Sequence, residues 1–433
     1  MKIAFFVRNS VFCKVDCSHL ECGNPGIGGT PFLIILVASL LSRRNNGLDV
    51  TLYVDAVGKF PESLETVVVK DAIGAIEAAD KSMVDYLVVN SRNVFWDYFD
   101  FSIIKNKLKI IPWCHNFNTH VWDNIFAKED RIARFVTVGR EQLDLLRDHP
   151  VFYKGDYIYN CVPANPKIVE MGREIPFRDR KHDVAFLGSL HWGKSFHILA
   201  SIWPEIRRRV PDAQLYVVGG GNLYDNNAKM GKYGYAAEKY EKEFMRYLLD
   251  ENGEISPEVH FMGVMGMDKF QVLKKAKVAV PNPTGIGETF CISAVEMQLS
   301  GCVLTAMESP GYYDTIYNGI LVKNKKQLTD SIVNLLLSDS PIRDLDETVE
   351  YITDNFSIDS VLADWERLFA NGLQSPIHDI IPLKNGSYSF KSTKERLRLL
   401  KEKGLLPKKL INIDYFSRLC LRIRNRIEMW RYS

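Results

Sequence analysis

The sequence lacks a strong net charge of either sign. Its 433 residues include 55 Lys and Arg against 53 Asp and Glu, which leaves a formal net charge of +2. A charge this small gives no overall field that would favour nucleic acid as a partner. Hydrophobic residues make up 46% and charged residues 25% of the chain, a balance that excludes a disordered, collagen-like or coiled-coil protein. At roughly 150 residues per domain, the length predicts two large domains and a tail.

Paired cysteines and long hydrophobic runs are also missing. None of the eight cysteines forms a Cys-x-x-Cys pair, and a chain of this size does not need disulfides, so we expect a reducing compartment. The group Cys13, Cys17, His19 and Cys22 lacks the spacing of paired zinc ligands, and we predict no metal site. The longest mainly apolar run, residues 32–41, is shorter than the roughly 20 residues that span a bilayer. We therefore expect a cytoplasmic protein.

Charge is distributed unevenly along the chain. Residues 376–433 hold 14 Lys and Arg and five Asp and Glu, a net charge of +9, against −7 for the rest of the chain. Within this tail, residues 415–432 predict a helix with one apolar stripe and with arginines mostly off that stripe. Such a helix can lie on an anionic membrane, pack on a partner subunit or form a solvated tail. We favour the membrane, which would place the protein peripherally at its inner face.

Short apolar runs rich in Val and Ile alternate with amphipathic helical stretches in two successive parts of the chain. This alternation predicts an α/β protein with two doubly wound domains, each a parallel sheet covered by helices on both faces. The predicted strands are Ile3–Val7, Val50–Val54, Tyr86–Val89, Lys109–Pro112 and Phe135–Val138 in the first part, and Asp183–Leu187, Gln214–Val218, Val259–Met262, Val278–Pro281 and Val303–Ala306 in the second. The predicted helices include Phe32–Leu41, Arg140–Arg147, Phe196–Arg209 and Ser293–Leu299.

Composition along the chain sets the domain boundaries. A polar, loop-like stretch separates the two parts, and a second polar stretch interrupts the later one. The prediction is a first domain over 1–163, a linker over 164–180, a second domain over 181–355 with an insertion over 222–257, an amphipathic helix over 356–372, and the basic tail over 373–433.

The segment that follows the strand at Val278 has the pattern of a phosphate site. Its glycines allow a turn that exposes the free N–H groups of the next helix, where a phosphate binds well. Glu296 comes eight residues after Glu288, so two carboxylates frame this helix start. They suit a ligand with a central phosphate and hydroxyls on both sides, such as a sugar nucleotide. The alternative is a loop Glu and an exposed helix Glu with no role, and the spacing by itself favours neither.

The segment Gly287–Met297 resembles the Glu-x7-Glu signature of the retaining glycosyltransferases of family 4, the glycosyl transferases group 1. Further motifs match in order over roughly 180–335, among them the strand and glycine before the signature and the small-residue turn after it. The resemblance implies the GT-B fold, in which two Rossmann-like domains face each other across a cleft, here with a basic helical tail. The first domain would be on the acceptor side, the second would bind the nucleotide sugar, and helix 356–372 would return to the first.

The resemblance also implies roles for individual residues. Glu288 would hold hydroxyls of the donor sugar, Glu296 the ribose diol, and Lys194 a phosphate. Ser189 stands where the family usually has an arginine, which removes a bidentate phosphate partner; His191 or another arginine is the candidate substitute. The backbone of residues 289–292 would meet the pyrophosphate. The predicted donor-binding residues are thus Gly28, Gly29, Ser189, Lys194, Gly219, Val264, Glu288, Thr289, Phe290, Cys291, Ile292 and Glu296.

Two features of the first domain enter through the same resemblance. The loop Asn24–Thr30 is similar to the glycine-rich loop that approaches the donor phosphates, although Pro31 replaces a frequent glutamate; a simple strand–helix turn is the alternative. His115 matches a histidine near the reacting sugar, where a neutral imidazole can orient hydroxyls; a hydrogen-bonded histidine at a strand end is the alternative.

The implied reaction is transfer with retention, without metal or cofactor. The leaving phosphate would accept the proton of the acceptor, and the predicted catalytic residues are His115, Glu288 and Lys194. The acceptor would be a glycan or a lipid-linked glycan, as in polysaccharide or lipopolysaccharide synthesis. A sugar-nucleotide epimerase of the same fold and a catalytically silent nucleotide-sugar-binding protein remain the alternatives.

Overall fold

The chain forms two compact units. The computed structural model describes residues 1–44, 47–162, 165–221, 229–371, 373–379, 381, 390–413, 415, 416 and 419. The first unit consists of Met1–Asn160 and Val361–Ser433, and the second of Cys161–Ser360. Each unit is built around its own parallel sheet with helices on both faces, as the alternation of strands and helices predicts.

The sheet of the first unit has seven parallel strands in the order β3-β2-β1-β4-β5-β6-β7. Its inner strand β1 is buried from Ile3 to Val7, because helices cover both of its faces and leave no solvent side. The direction of strand addition reverses between β1 and β4. The strands are β1 (Lys2–Val7), β2 (Asp49–Val54), β3 (Glu65–Val68), β4 (Tyr86–Asn90), β5 (Lys109–Cys114), β6 (Phe135–Thr137) and β7 (Gly155–Tyr157).

Two helices in the first part of the chain begin at polar side-chain caps. The Asp71 side chain accepts from the backbone N–H groups of Ile73 and Gly74, and the Thr119 hydroxyl accepts from that of Trp122. Such caps satisfy donors that a helix start leaves without partners. The helices are α1 (Gly29–Arg43), α2 (Ala72–Lys81), α3 (His120–Lys128) and α4 (Arg140–Asp144), the last ending three residues before the predicted end.

The sheet of the second unit has six parallel strands in the order β10-β9-β8-β11-β12-β13. Here the reversal lies between β8 and β11, which pair through Val184 with Val278 and Phe186 with Val280. The strands are β8 (Asp183–Leu187), β9 (Gln214–Val218), β10 (Val259–Gly263), β11 (Val278–Val280), β12 (Val303–Met307) and β13 (Gly319–Val322).

Two polar stretches of the second unit are more structured than the sequence pattern predicts. The stretch predicted as a linker contains a helix, α5, whose Ile168 and Val169 are buried. The stretch predicted as an insertion contains α7, whose Tyr240 and Phe244 belong to the core. Short apolar stripes among many charged residues explain both differences. The helices are α5 (Pro166–Arg173), α6 (Phe196–Arg209), α7 (Glu238–Met245), α8 (Lys269–Leu273), α9 (Ile292–Leu299), α10 (Pro310–Thr315), α11 (Lys325–Leu336) and α12 (Leu345–Phe356).

The chain after α12 belongs mainly to the first unit. Helix α13 (Ile358–Ala370) corresponds to the amphipathic helix predicted over 356–372, and from Val361 onward it groups with the first unit. Its Trp365 ring lies 4.9 Å from that of Trp113 and 5.9 Å from that of Phe5. These contacts bury the apolar face of α13 on the first sheet.

Part of the basic tail is packed inside the first unit. Helix α14 (Lys391–Glu402) buries four of its cations, at positions 391, 394, 398 and 401. Lys391 Nζ lies 3.3 Å from Glu141 Oε1 and 3.4 Å from Asp144 Oδ2, both on α4. Some of the tail's charge therefore has intramolecular partners. Of the amphipathic helix predicted over 415–432, all but residues 415, 416 and 419 lie outside the described residues.

The described residues contain neither a membrane-spanning helix nor a metal-binding cluster. None of their helices is long and apolar enough to cross a membrane. The same residues contain no group of three or more His, Cys, Asp and Glu side chains arranged to hold a metal ion.

Candidate functional site

The most informative part of the second unit is the reversal point of its sheet. Because β8 and β11 are neighbours, the loop after β8 and the loop after β11 leave the sheet side by side. We call residues 188–195 the β8 loop and residues 281–291 the β11 loop. In open α/β sheets, the carboxyl ends of strands at such a reversal form the usual ligand crevice.

The β8 loop is shaped by its contact with the end of β9. Gly219 has a φ of +139°, and a Cβ there would lie 1.9 Å from the Gly188 carbonyl oxygen, so only glycine fits. The loop then forms a short turn, Trp192–Lys194, in which His191 Nδ1 accepts from the Gly193 N–H at 3.0 Å. This turn directs Lys194 towards the β11 loop.

Lys194 and Glu288 join the two loops. Lys194 Nζ lies 2.6 Å from Glu288 Oε1, and the side chains are 30% and 8% exposed. The Asn282 side-chain amide donates to the same carboxylate oxygen at 3.1 Å and to the Gly193 carbonyl at 2.9 Å. Asn282 is thus a second bridge between the loops, and the Tyr312 hydroxyl donates to its carbonyl at 2.7 Å. The carboxylate of Glu288 is held in place on two sides.

The backbone around Glu288 is equally constrained. Gly285 and Gly287 have φ values of +62° and +80°, the left-handed region that glycine adopts most easily. The Glu288 carbonyl accepts from the Gly311 N–H at 3.2 Å and from the Ser309 hydroxyl at 3.0 Å, both at the start of α10. The β11 loop therefore rests on α10 and presents Glu288 in a defined position.

The start of α9 has the form of an anion site. Cys291 occupies the N-cap position, where its side chain makes no capping hydrogen bond to a backbone N–H group; its Sγ lies 3.3 Å from the Ser293 hydroxyl oxygen. Thr289, Phe290 and Cys291 are buried, and burial raises the pKa of the Cys291 thiol to about 11. The thiol is neutral at pH 7, so it adds no negative charge near the helix N-terminus, where anions are favoured.

Glu296 also has a lysine partner. Lys269 Nζ, at the start of α8, lies 2.7 Å from Glu296 Oε1, and both side chains are partly exposed. Sequence reasoning missed Lys269, because it lies 27 positions from Glu296 and no motif pairs the two. Glu288 and Glu296 thus each pair with a lysine, and the positive charge offsets the repulsion that unpaired carboxylates would exert on a phosphate.

His191 and Ser189 are the two unusual residues of the β8 loop. Burial and the neighbouring Lys194 lower the pKa of His191, so the imidazole is neutral at pH 7 and cannot supply the charge of the missing arginine. Ser189 is buried, and its hydroxyl has no hydrogen-bond partner within the part of the chain that the structure describes. Val264, another predicted donor residue, directly follows strand β10 and is exposed.

The remaining predicted residues belong to the first unit. His115 follows β5, is buried, and has its pKa lowered to about 3 by that burial, so its ring is neutral. Gly28 precedes α1 and Gly29 begins it. The Asn24 side chain holds their loop by accepting from the N–H groups of Gly26 and Ile27. All the other predicted residues lie in the second unit, where contacts join Lys194 to Glu288 and Gly219 to Gly188 of the β8 loop. They are Ser189, Lys194, Gly219, Val264, Glu288, Thr289, Phe290, Cys291, Ile292 and Glu296.

Comparison with known families supports the sequence resemblance. Residues 181–338 match the family model described as glycosyl transferases group 1. This range contains both loops, the Lys194–Glu288 pair and the Lys269–Glu296 pair. No curated protein matches the chain.

Solved structures share the fold. The Anabaena protein HepE, solved with UDP and glucose, is 13% identical over 86% of this chain and 100% of its own, with a TM-score of 0.59. A glycosyltransferase from Rickettsia africae is 14% identical over 86% of this chain and 98% of its own, with a TM-score of 0.61. The catalytic domain of Arabidopsis thaliana starch synthase IV, bound to ADP and acarbose, is 12% identical over 86% and 99%, with a TM-score of 0.56. The predicted fold, two Rossmann-like α/β units of the GT-B type, is confirmed.

Proposed function

We propose that this chain, whose second unit matches the glycosyl transferases group 1, transfers a sugar from a nucleotide sugar to a glycan or lipid-linked glycan. One observation carries the proposal. A lysine–glutamate pair and the uncapped start of α9 meet at the reversal point of the second sheet, where an α/β sheet binds its ligand. HepE was solved with UDP-glucose and the starch synthase domain with ADP, which supports a nucleotide-sugar donor here.

Each group in the second unit has a role on this proposal. The start of α9 and Lys194 bind the pyrophosphate, Glu288 binds hydroxyls of the sugar, and Glu296 binds the ribose diol. Glu288 suits this task because its carboxylate is nearly buried and already oriented by Asn282, so binding requires little reordering. In the second unit, Ser189, Gly219 and Val264 would also contact the donor; Gly28, Gly29 and His115 stay predictions from the sequence resemblance.

The reaction we propose retains the configuration at the anomeric carbon and needs no metal. The bond between the anomeric carbon and the phosphate oxygen breaks, and the acceptor hydroxyl oxygen bonds to that carbon from the same face. The leaving phosphate takes the proton that this hydroxyl loses. Lys194 and the N–H groups of α9 stabilise the negative charge that develops on the phosphate. His115, neutral and buried, orients hydroxyls rather than carrying charge.

One feature of the sequence supports the acceptor class. The stripe of apolar residues and arginines in residues 415–432 suits an anionic membrane surface and hence a lipid-linked acceptor. An epimerase of the same fold remains the second candidate, since it would use the same donor site. Conversion of the donor sugar without any acceptor would identify an epimerase.

Thermal unfolding with a panel of UDP-, ADP- and GDP-sugars tests the proposal. A ligand at about 100 times its Kd stabilises a protein by about 2.7 kcal/mol. We expect one nucleotide sugar to raise the midpoint, and Glu288→Ala and Glu296→Ala to abolish that rise. Glu205→Ala is the matched control, because this exposed glutamate lies on α6 and forms a salt bridge with Arg208, three residues along the same helix. A folded wild type that no member of the panel stabilises would contradict the proposed function.

A further inference from the structure

A pocket of about 410 Å³ opens beside the β8 loop, within the second unit. It lies between the start of the Trp192–Lys194 turn, the end of β9 and the start of α7. None of the predicted donor residues lines it. The residues that line it are Leu190, His191, Trp192, Gly221, Lys229, Ala237, Glu238, Lys239 and Tyr240.

Trp192 is the most distinctive residue of this pocket. Its side chain is 56% exposed, although tryptophan is usually mostly buried. Neighbouring rings support it: the indole lies 4.9 Å from the ring of Tyr240 and 5.2 Å from that of His197. Tyr240 is itself buried, and its hydroxyl oxygen accepts from the His197 N–H at 3.2 Å. The indole is therefore an exposed aromatic surface on a rigid support.

Charged groups surround this aromatic surface. Glu238 accepts from Lys229 and from Lys242, each at 2.9 Å. Lys239 also lines the pocket, and the neutral His191 adds a ring that can donate or accept. An aromatic surface with a few polar groups at its edge is the composition of a small-molecule site.

The position of the pocket separates it from the predicted nucleotide site. Strands are added in opposite directions from β8 and β11, and parallel crossovers are right-handed. Helices α6 and α7 therefore cover one face of the sheet, and α8 and α9 the other. The Lys269–Glu296 pair joins α8 and α9, whereas the pocket lies between the β8 loop, which leads into α6, and the start of α7. Trp192 and Lys194 share one turn, so the pocket lies next to the reacting end of the predicted donor site.

We propose that this pocket binds one pyranose ring of the acceptor glycan, with the Trp192 indole against the C–H face of the sugar. The inference rests on the proposed function and adds a substrate contact to it. A pyranose fits because one face presents C–H groups to an aromatic ring, while its hydroxyls project sideways to charged groups such as Glu238 and Lys239. A nucleobase would also stack on an indole, but the predicted ribose contact lies on the other face of the sheet.

The test uses the full chain and p-nitrophenyl glycosides of glucose, galactose, mannose and N-acetylglucosamine as probes. Saturation-transfer NMR measures their binding to the wild type, Trp192→Ala, Trp192→Phe and Leu337→Ala. Leu337 is the matched control: it is an exposed apolar residue of the same unit that follows the end of α11. Binding of the nucleotide sugar found in the thermal panel is measured in parallel on the same variants.

We expect at least one glycoside to bind the wild type, and Trp192→Ala to weaken it about tenfold or more, as loss of a buried aromatic contact does. Trp192→Phe should retain most of the affinity and Leu337→Ala all of it, with donor binding unchanged in every variant. Equal glycoside binding by Trp192→Ala and the wild type would overturn the proposal, as would no glycoside binding at all. Loss of donor binding in Trp192→Ala would assign the pocket to the donor. Failure of the proposed function shows separately, as absent donor binding in the wild type.

Discussion

Lys194 Nζ and Glu288 Oε1 lie 2.6 Å apart and link two loops whose residues are 94 positions apart in the chain. The pair exists because β8 and β11 are neighbours at the reversal point of the second sheet. Its members differ in exposure, since the glutamate is nearly buried and the lysine is partly open to solvent. A phosphate at the start of α9 can therefore reach the lysine while the carboxylate stays fixed by Asn282.

Lys194→Met tests the energetic role of this pair. The Glu288 carboxylate then stays nearly buried, with the Asn282 amide as its remaining side-chain donor among the described residues. We expect a loss of about 1–2 kcal/mol of unfolding free energy. Donor binding should fall as well, because a phosphate partner is removed. Urea denaturation measures the first effect and calorimetry the second. Lys229→Met is the control, since Lys229 is 85% exposed; an equal loss in both variants would contradict the role of the pair.

Gly311→Ala tests how the backbone of the β11 loop is held. A Cβ at Gly311 would lie 2.7 Å from the carbonyl carbon of Thr289 and 2.8 Å from the Phe290 nitrogen. Since backbone cannot yield as a flexible side chain does, we expect a loss of about 1–3 kcal/mol and weaker donor binding. Gly266→Ala is the matched control, because a Cβ there meets nothing within 4 Å. Unchanged donor affinity in Gly311→Ala would show that the position of residues 288–290 is not critical.

The raised pKa of His378 predicts that the stability of the first unit depends on pH. Burial by itself would lower the pKa of His378, but hydrogen bonds to Asp156 and Asp364 outweigh it and raise the pKa to about 9. Because the pKa is raised above its unfolded value of 6.5, the stabilisation is complete below pH 6.5 and is lost as the pH rises towards 9. Its size is up to about 3 kcal/mol. Urea denaturation from pH 6 to 10 should show this decline in the wild type and a smaller one in His378→Gln. Identical pH profiles for the two proteins would contradict the assignment.

The burial of Lys391 predicts that the basic tail stabilises the first unit. Its ammonium is almost fully buried between Glu141 and Asp144, and its removal leaves these two buried carboxylates with fewer cationic partners, the remaining ones including Arg140 and Arg147. We expect Lys391→Met to lower the free energy of unfolding by about 3 kcal/mol. Lys403→Met, at an exposed position just after α14, should have little effect. Limited proteolysis gives a second measurement, since an undocked α14 would be cut faster; equal cleavage of the two variants would argue against this docking.

The sequence by itself determined where most strands lie along the chain and where the β11 loop lies. Alternating apolar runs are a local signal, and five strands of each unit were predicted within a few residues of their observed ends. Strands β3, β7 and β13 were missed, because they are only four, three and four residues long. The spacing of Glu288 and Glu296 was likewise readable, since both belong to one loop and helix.

Only the tertiary structure decided the partners of those residues. Lys269 and Asn282 carry no motif of their own, and they became part of the site because the sheet brings α8 to α9 and the β8 loop to the β11 loop. The same holds for α14, whose basic residues counted only as part of the basic tail until their burial against α4 was known. The periodicity of apolar residues indicates which face of a helix or strand is buried. The partner of a charged residue depends on the tertiary fold, because the two residues are far apart in the sequence and no local pattern connects them.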